Sequence, residues 1–234
     1  LASAFNSLTG AQALWLGDTG LSSTGGNINT WTAAVGTGVF TKVADDDRPT
    51  ETILDGRGAV NFNDQVLELT NPDISGWTET TVAVAYKQEL STRSPQNILC
   101  HNVAPNRWRL TEYTNQNDDG EDLNFFRLFY DGTSTTDSIE TTIRKGAKAG
   151  NILKTVIASH GASGARIADR NETASGAVAT AFSQALPTLY LGSLTGTTNT
   201  NSAQMTVTAV ALLNADTAFD ADEMRLLQDI MEAA

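Results

Sequence analysis

The amino-acid sequence predicts an all-β fold, a two-sheet antiparallel sandwich with a short C-terminal helix. The apolar runs are short, as strands are, and connections rich in Gly, Asn and Thr separate them. Several runs alternate between apolar and polar residues, which indicates strands with one buried face. No helical pattern is regularly placed between the strands, so a parallel βαβ fold is disfavoured.

Ten segments have strand character. They are 59–62, 66–69, 80–86, 97–100, 108–110, 125–130, 152–158, 165–167, 188–191 and 205–213. In the third segment Val82, Val84 and Tyr86 are predicted to share the buried face. The last segment alternates too, and one of its faces is predicted to carry Val207, Ala209, Ala211 and Leu213. Its other face, predicted to be partly exposed to solvent, carries Thr206, Thr208 and Val210.

One amphipathic helix is predicted at 221–232. Asp220 begins it as the cap residue, and Glu223 follows three residues later, which is the spacing of a reciprocal capping box. Met224 and Leu227, with the pair 230–231, supply the apolar stripe. The 234 residues fit one sandwich, so we expect a single domain over 1–234.

The charge balance excludes several classes of partner. Lys and Arg number 15 against 27 Asp and Glu, a net charge of −12, which repels nucleic-acid phosphates and anionic lipid. No apolar run approaches the roughly 18 residues that a membrane helix needs. We therefore expect no nucleic-acid partner and no membrane partner.

Neither the acidic residues nor the cysteine predict a catalytic centre. A glycan-cleaving enzyme needs two carboxylates that face one sugar. The acidic pairs are Glu51 with Asp55, Glu121 with Asp122, and Asp222 with Glu223. The first pair is four residues apart and lies between Pro49 and Gly56, the second points to opposite faces of a strand, and the third caps the helix start. The only cysteine, Cys100, is adjacent to His101 in a strand, which directs the two side chains apart, and His160 has no partner pattern. We predict no catalytic residues and hence no enzyme.

Aromatic residues near polar loops are candidates for sugar binding. Aromatic rings pack on the apolar face of a sugar ring while Asn, Asp and backbone groups bind its hydroxyls. The candidates are Trp77, Trp108, Tyr113 and Tyr130. For the two tryptophans the alternative is a half-buried lid on the sandwich edge. Trp15 and Trp31 lie in apolar segments and are predicted to fill the core.

The segment 115–122 is a candidate calcium site. Its predicted oxygen ligands are Asn115, Asn117, Asp119 and Asp122, around a turn at Gly120. Phe126 stands where an EF-type loop has its bidentate glutamate, so only a weak site is expected. The alternative is a solvated acidic hairpin loop, and the same alternative applies to the acidic run 45–47. Calcium is the only cofactor that the sequence suggests.

Seven segments together resemble a known family. They are 13–18, 28–31, 48–50, 58–63, 67–69, 189–193 and 207–213, the last followed by the acidic 219–223. Their order and spacing are similar to those of laminin-G-like, concanavalin A-like lectin and glucanase jelly-roll domains. The chain differs in having Gly17 where many relatives carry an aspartate after the first Trp-Leu.

The resemblance implies a jelly-roll recognition module of the kind found in phage virions and bacterial surface proteins. It leaves three hypotheses. The first is a non-enzymatic, carbohydrate-binding or adhesive domain, and the second is a purely structural subunit such as a capsid-decoration or tail protein. The third is a glycan-cleaving enzyme, which needs the two convergent carboxylates that the spacing does not show. The implied partners are a glycan or neighbouring subunits, further copies of this chain included. The implied location is a virion or an extracellular surface.

Overall fold

The computed structural model describes most of the backbone. The described residues are 1–42, 48–74, 76–77, 79–88, 96–101, 107–116, 122–131, 138–143, 153–161, 164–169, 173–176, 188–193, 202–215 and 220–234. At 101, 107–108, 113–116, 122–131, 138–143, 164 and 173–176 the description covers the backbone alone.

The described chain is almost entirely strand. In chain order its elements are α1 (Ala2–Asn6), β1 (Ala11–Leu16), β2 (Leu21–Thr24), β3 (Asn27–Thr32), β4 (Val35–Gly36), β5 (Val39–Lys42), β6 (Thr50–Leu54), β7 (Arg57–Asn63), β8 (Leu67–Asn71), β9 (Thr80–Gln88), β10 (Gln96–His101), β11 (Arg107–Gln116), β12 (Asp122–Asp131), β13 (Ser138–Ile143), β14 (Leu153–Gly161), β15 (Gly164–Ala168), β16 (Thr173–Gly176), β17 (Tyr190–Leu191), β18 (Gln204–Leu213) and α2 (Ala221–Ala233). None of the described helices is long and apolar enough to cross a membrane.

The strands form one antiparallel hydrogen-bonded sheet that curls into two layers, which confirms the predicted fold class. The back sheet runs β6-β7-β18-β9-β14-β15-β16, and β1 shares one edge of β18 with β7. The front sheet runs β2-β3-β5-β8-β17-β10-β11-β12-β13. The two layers join where Asn27 of β3 pairs with Thr50 of β6.

The core between the sheets is apolar and holds the predicted aromatic residues. Trp15 and Trp31 are fully buried, as predicted, and Phe40 lies beside both, with ring centroids 4.7 and 6.3 Å away. The indole Nε1 of Trp31 donates a hydrogen bond to the Leu16 carbonyl (2.9 Å). Val84 lies in the same cluster, which confirms the buried face predicted for this strand.

The outer face of the back sheet is buried as well. Helices α1 and α2 cover it through a second apolar cluster that includes Phe5, Ala85, Ile157 and Leu227. The expectation that β9 and β18 each have one wet face is therefore wrong. Small residues alternate with larger ones along β9, and this allows the helices to pack closely on that face.

The shared face predicted for Ala209, Ala211 and Leu213 is confirmed, but Val207 does not share it. The register between β18 and β9 shifts between Val207 and Ala209, as in a β-bulge, so the two residues face different sides. Val207, Val210 and Leu212 lie in the inter-sheet core. Ala209, Ala211 and Leu213 lie under the helices. Thr208 is 1% exposed rather than wet, and its hydroxyl donates a long hydrogen bond to the Ala85 carbonyl (3.4 Å).

Several polar strands are absent from the sequence prediction. The first predicted strand begins at residue 59, but the chain before it already contains the β2–β3 hairpin. Its two-residue turn is Gly25-Gly26, with φ of 62° and 84°. The β6–β7 hairpin turns at Asp55-Gly56 with φ of 52° and 80°. Strands β2, β3 and β6 carry mainly polar residues, so no apolar run marks them, whereas β7 contains the predicted segment 59–62.

Helix α2 begins where the sequence predicts. The Asp220 carboxylate accepts hydrogen bonds from the backbone N–H groups of Asp222 (2.9 Å) and Glu223 (3.0 Å). In a reciprocal capping box the Glu223 carboxylate would accept from the backbone N–H of Asp220. Here it accepts instead from the backbone N–H (3.0 Å) and the hydroxyl of Thr9. At the other end Arg57 donates to the carbonyls of Glu232 (2.8 Å) and Ala234 (2.9 Å).

Gly17, where this chain departs from the family it resembles, lies at a close crossing of two backbones. A Cβ at this position would lie 2.4 Å from the Gly58 carbonyl oxygen. A Cβ on Gly58 would in turn lie 2.6 Å from Asp18. An aspartate cannot replace Gly17 without a shift of β7, so steric exclusion explains the departure.

Candidate functional site

Trp77 is a half-buried residue at the edge of the sandwich. Its side chain packs against the inter-sheet core, and its backbone N–H donates to the Ile74 carbonyl (3.1 Å). A half-buried ring that packs on the core is what the lid alternative for Trp77 predicts. The other three aromatic candidates lie in strands β11 and β12.

The other aromatic candidates lie in the β11–β12 hairpin. Trp108 pairs directly with Tyr130, and Tyr113 pairs with Phe125. Trp108 and Tyr113 are five positions apart in one strand, so they do not share a row of the sheet. The structure brings Trp108 and Tyr130 together in register and leaves Trp77 and Tyr113 elsewhere.

Two of the four predicted calcium ligands lie in strands rather than in a loop. Asn115 pairs with Leu123, and Asp122 pairs with Gln116. The segment 115–122 is therefore not a loop at either end, because the hairpin strands continue further than their apolar residues indicate. Asn117 and Asp119 lie outside the described residues, as does the run 45–47. The calcium site stays a prediction.

Cys100 and His160 are both buried, and the structure places neither at an accessible surface. Burial raises the pKa of the Cys100 thiol, against the opposing effect of the Arg109 guanidinium. Burial also lowers the pKa of His160 to about 3, so its imidazole is neutral at pH 7. A buried thiol with a raised pKa is unreactive, as the interpretation of Cys100 as a structural cysteine requires.

A row of residues lies on the face of the front sheet that is turned away from the inter-sheet core, and we call it the front strip. It is defined by residues paired across five adjacent strands, namely Thr41, Glu68, Tyr190, Cys100 and Arg109. All except Cys100 are half-buried. With strands about 4.8 Å apart, the distance from Glu68 to Arg109 is about 14 Å.

The front strip is anchored by apolar neighbours that point the other way. Leu67 and Leu69 flank Glu68, Leu189 and Leu191 flank Tyr190, and all four leucines lie in the inter-sheet core. Because side chains alternate along a strand, Glu68 and Tyr190 are directed outward. The same Leu-x-Leu pattern is visible in the sequence, so alternation alone could have identified both residues. The pairing of their strands could not be predicted, because β8 and β17 are far apart in the chain.

Tyr190 and Glu68 influence each other electrostatically. Partial burial raises the pKa of the Tyr190 phenol, and the Glu68 carboxylate raises it further. Tyr190 is therefore a neutral phenol beside an anion. Within the described part of the chain, no protein group donates a hydrogen bond to the Glu68 carboxylate. The pair offers an aromatic face and acceptor oxygens at one outward-facing position.

A second polar cluster lies between the sheets and is closed to solvent. The Tyr86 hydroxyl donates to the Glu112 carboxylate (2.5 Å), and Lys154 forms an ion pair with the same carboxylate. The Lys154 ammonium also lies 5.1 Å from the Tyr86 ring centroid. Burial, then Glu112 and Asp169, raise the pKa of the Tyr86 phenol. With Glu112 only 1% exposed, this cluster joins the two sheets rather than binding a ligand.

Solved structures share this fold at low sequence identity. Trypanosoma rangeli sialidase in complex with 2,3-difluorosialic acid is 12% identical with a TM-score of 0.63, covering 94% of this chain and 33% of the sialidase. The chain thus spans about a third of the sialidase. Botulinum neurotoxin type C, whose cell entry depends upon interaction with two ganglioside molecules, is 9% identical with a TM-score of 0.50, covering 94% of this chain and 51% of that one.

A third structure has the same extent as this chain. Domain 4 of AbnA, an extracellular arabinanase of Geobacillus stearothermophilus, was solved in complex with arabinotriose. It is 15% identical with a TM-score of 0.60, covering 96% of this chain and 99% of that domain. At such identities the likeness shows the fold alone. No protein-family model matches the chain, and no curated protein does.

Proposed function

We propose that this protein is a non-enzymatic carbohydrate-binding module. The observation that carries the proposal is the outward-facing pair Tyr190 and Glu68, an aromatic ring next to a carboxylate with no protein partner in the described chain. Sugar sites combine these two groups, because the ring contacts the C–H face of the sugar and the carboxylate accepts from its hydroxyls. The arabinanase domain with arabinotriose, which has the same fold and extent, supports the proposal.

The placement of the carboxylates supports a binding role over catalysis. Glycan cleavage needs two accessible carboxyl groups on either side of the scissile bond. In the described chain, the two carboxylates that act on the Tyr86 phenol, Glu112 and Asp169, are 1% and 6% exposed. Glu68, in contrast, is accessible, and its paired neighbours Thr41 and Tyr190 carry no carboxylate.

The second candidate is a purely structural subunit of a virion or a cell surface, such as a capsid-decoration protein. Strand β6 favours it, because Ile53 on this strand is 76% exposed and Glu51 is exposed beside it. An exposed apolar residue at a sheet edge is suited to contact with a neighbouring subunit. In either case we place the protein on a virion or an extracellular surface, as the family resemblance implies.

A glycan array, probed with and without a chelator, separates the two candidates. A binding module retains a defined group of glycans in at least one of the two conditions. Binding that the chelator abolishes would add the calcium site to the proposal. Absence of binding in both conditions, from protein that melts cooperatively, would contradict the carbohydrate proposal and leave the structural one.

A further inference from the structure

The front strip differs in charge from end to end, and its Tyr190–Glu68 end is anionic. Tyr190 pairs with Glu68 on one side and with the buried Cys100 on the other. Thr41, the neighbour of Glu68 on the far side, adds a hydroxyl and no charge. The Arg109 guanidinium lies one strand beyond Cys100 and acts on its thiol. The aromatic ring is thus nearer to the carboxylate than to the cation.

Backbone hydrogen bonds join the strands beneath this end. The backbone N–H of Leu69 donates to the Leu189 carbonyl (2.9 Å), and that of Gly192 donates to the Ile98 carbonyl (2.8 Å). These bonds tie β8, β17 and β10 to one another on both sides of Tyr190. The backbone that carries Tyr190 and Glu68 is therefore fixed before a ligand binds, which lowers the entropy cost of binding.

The charge at this end selects against acidic sugars. A carboxylate accepts hydrogen bonds from hydroxyl groups but repels another carboxylate or a sulfate. The chain as a whole carries a net charge of −12, which adds a long-range repulsion for anionic ligands. A ligand rich in hydroxyls and without charge avoids both.

We propose that the front strip binds a neutral oligosaccharide, with one sugar ring packed on Tyr190 and its hydroxyls donating to Glu68. This inference rests on the proposed carbohydrate-binding function and makes it specific in ligand class and in residues. Thr41 pairs with Glu68 on the far side from Tyr190, so its hydroxyl is placed to bind the next hydroxyl of the oligosaccharide. The ligand runs across the strands, since the strip itself does.

The test compares ligand classes on an array that carries neutral arabino-, gluco- and galacto-oligosaccharides beside sialylated and uronate-containing ones. The strongest neutral ligand is then titrated calorimetrically against the parent, Glu68→Gln, Tyr190→Ala and Glu51→Gln. The last is the matched control, because Glu51 is an exposed glutamate on β6 of the back sheet. Thermal melts of each variant show whether it is folded.

We expect neutral ligands to bind, with affinity at least tenfold weaker in Glu68→Gln and Tyr190→Ala and unchanged in Glu51→Gln. Neutral binding that both front-strip variants retain would overturn the site while leaving the carbohydrate function standing. Binding of acidic glycans alone would overturn the ligand class. If no glycan binds folded protein, the proposed function fails and this inference fails with it. If Tyr190→Ala does not fold, Tyr190→Gln takes its place. If neither Tyr190 variant folds, the Glu68→Gln result decides the test.

Discussion

At the scale of single residues, buried polar groups hold the two sheets together. Glu112 on the front sheet accepts from Tyr86 and Lys154 on the back sheet, so one carboxylate satisfies two donors across the core. A buried carboxylate is costly unless it is paired, and Tyr86 and Lys154 both belong to the opposite layer. The cluster therefore contributes to how the sheets are aligned as well as to their stability.

Removal of Glu112 should be strongly destabilising. In Glu112→Ala the Lys154 ammonium and the Tyr86 hydroxyl lose their shared acceptor while still largely buried, so we expect a loss of about 3 kcal/mol in unfolding free energy. Tyr86→Phe removes the hydroxyl that donates to Glu112 and leaves the ion pair with Lys154, so it should cost about 1 kcal/mol. Urea denaturation measures both. Equal effects of the two variants would contradict the assigned role of the carboxylate.

His160 should make stability depend on pH. Its pKa of about 3 in the folded protein lies below the 6.5 of an unperturbed imidazole, because burial disfavours the charged form. Between these values the unfolded chain binds a proton that the folded protein does not. The contribution is therefore fully present above pH 6.5 and is lost as the pH falls towards 3, by about 1.4 kcal/mol per pH unit.

The measurement is the unfolding free energy of the parent and of His160→Gln at pH 7, 6 and 5. The variant lowers stability at every pH but should have the shallower slope, because it lacks the titrating group. Identical slopes would show that His160 is accessible to protons in the folded state. The second histidine is present in both proteins and cancels in the comparison.

At the scale of elements, helix α2 is fixed at both ends by groups from different parts of the chain. Asp220 caps its first turn, Thr9 binds Glu223, and Arg57 from the β6–β7 hairpin binds the last carbonyls. The last turn contains no basic residue of its own, so Arg57 supplies the positive charge that the helix dipole favours. The helix is therefore joined to the sheet by polar contacts at its ends and by apolar contacts along its length.

Replacement of the cap tests this arrangement. Asp220→Ala should lower the unfolding free energy by about 1 kcal/mol, because two backbone N–H groups lose their acceptor. Asp229→Ala is the control, since Asp229 is exposed on the same helix, and it should change stability by less than about 0.5 kcal/mol. Urea melts that show the same stability for both variants would remove the cap assignment.

At the scale of the whole molecule, the back sheet lies between two apolar layers. One is the inter-sheet core and the other is the layer beneath the helices. The front sheet has no helix on its outward face within the described chain, so that face is where accessible polar residues such as Glu68 lie. This asymmetry separates a stabilising side of the molecule from a candidate binding side.

The helix layer should behave as part of the core. Leu227 on α2 is fully buried against the back sheet, and Leu227→Ala should cost about 3 kcal/mol through the cavity it leaves. Arg225→Ala, exposed on the same helix, should be nearly silent. Calorimetric melting distinguishes them. A single cooperative transition is expected in both, and a separate early transition for the helix would contradict one continuous core.

Sequence alone determined what depends on neighbours in the chain. The β class, the Asp220 cap, the buried Trp15 and Trp31 and the face shared by Val84 and Tyr86 all follow from local pattern. Only the tertiary structure decided which strands pair, where the β18 bulge reverses the alternation, and which face the helices cover. The front strip is the clearest case, since Glu68 and Tyr190 become neighbours through a pairing between strands far apart in sequence. Periodicity shows which face a residue occupies, but long-range register sets what lies beside it.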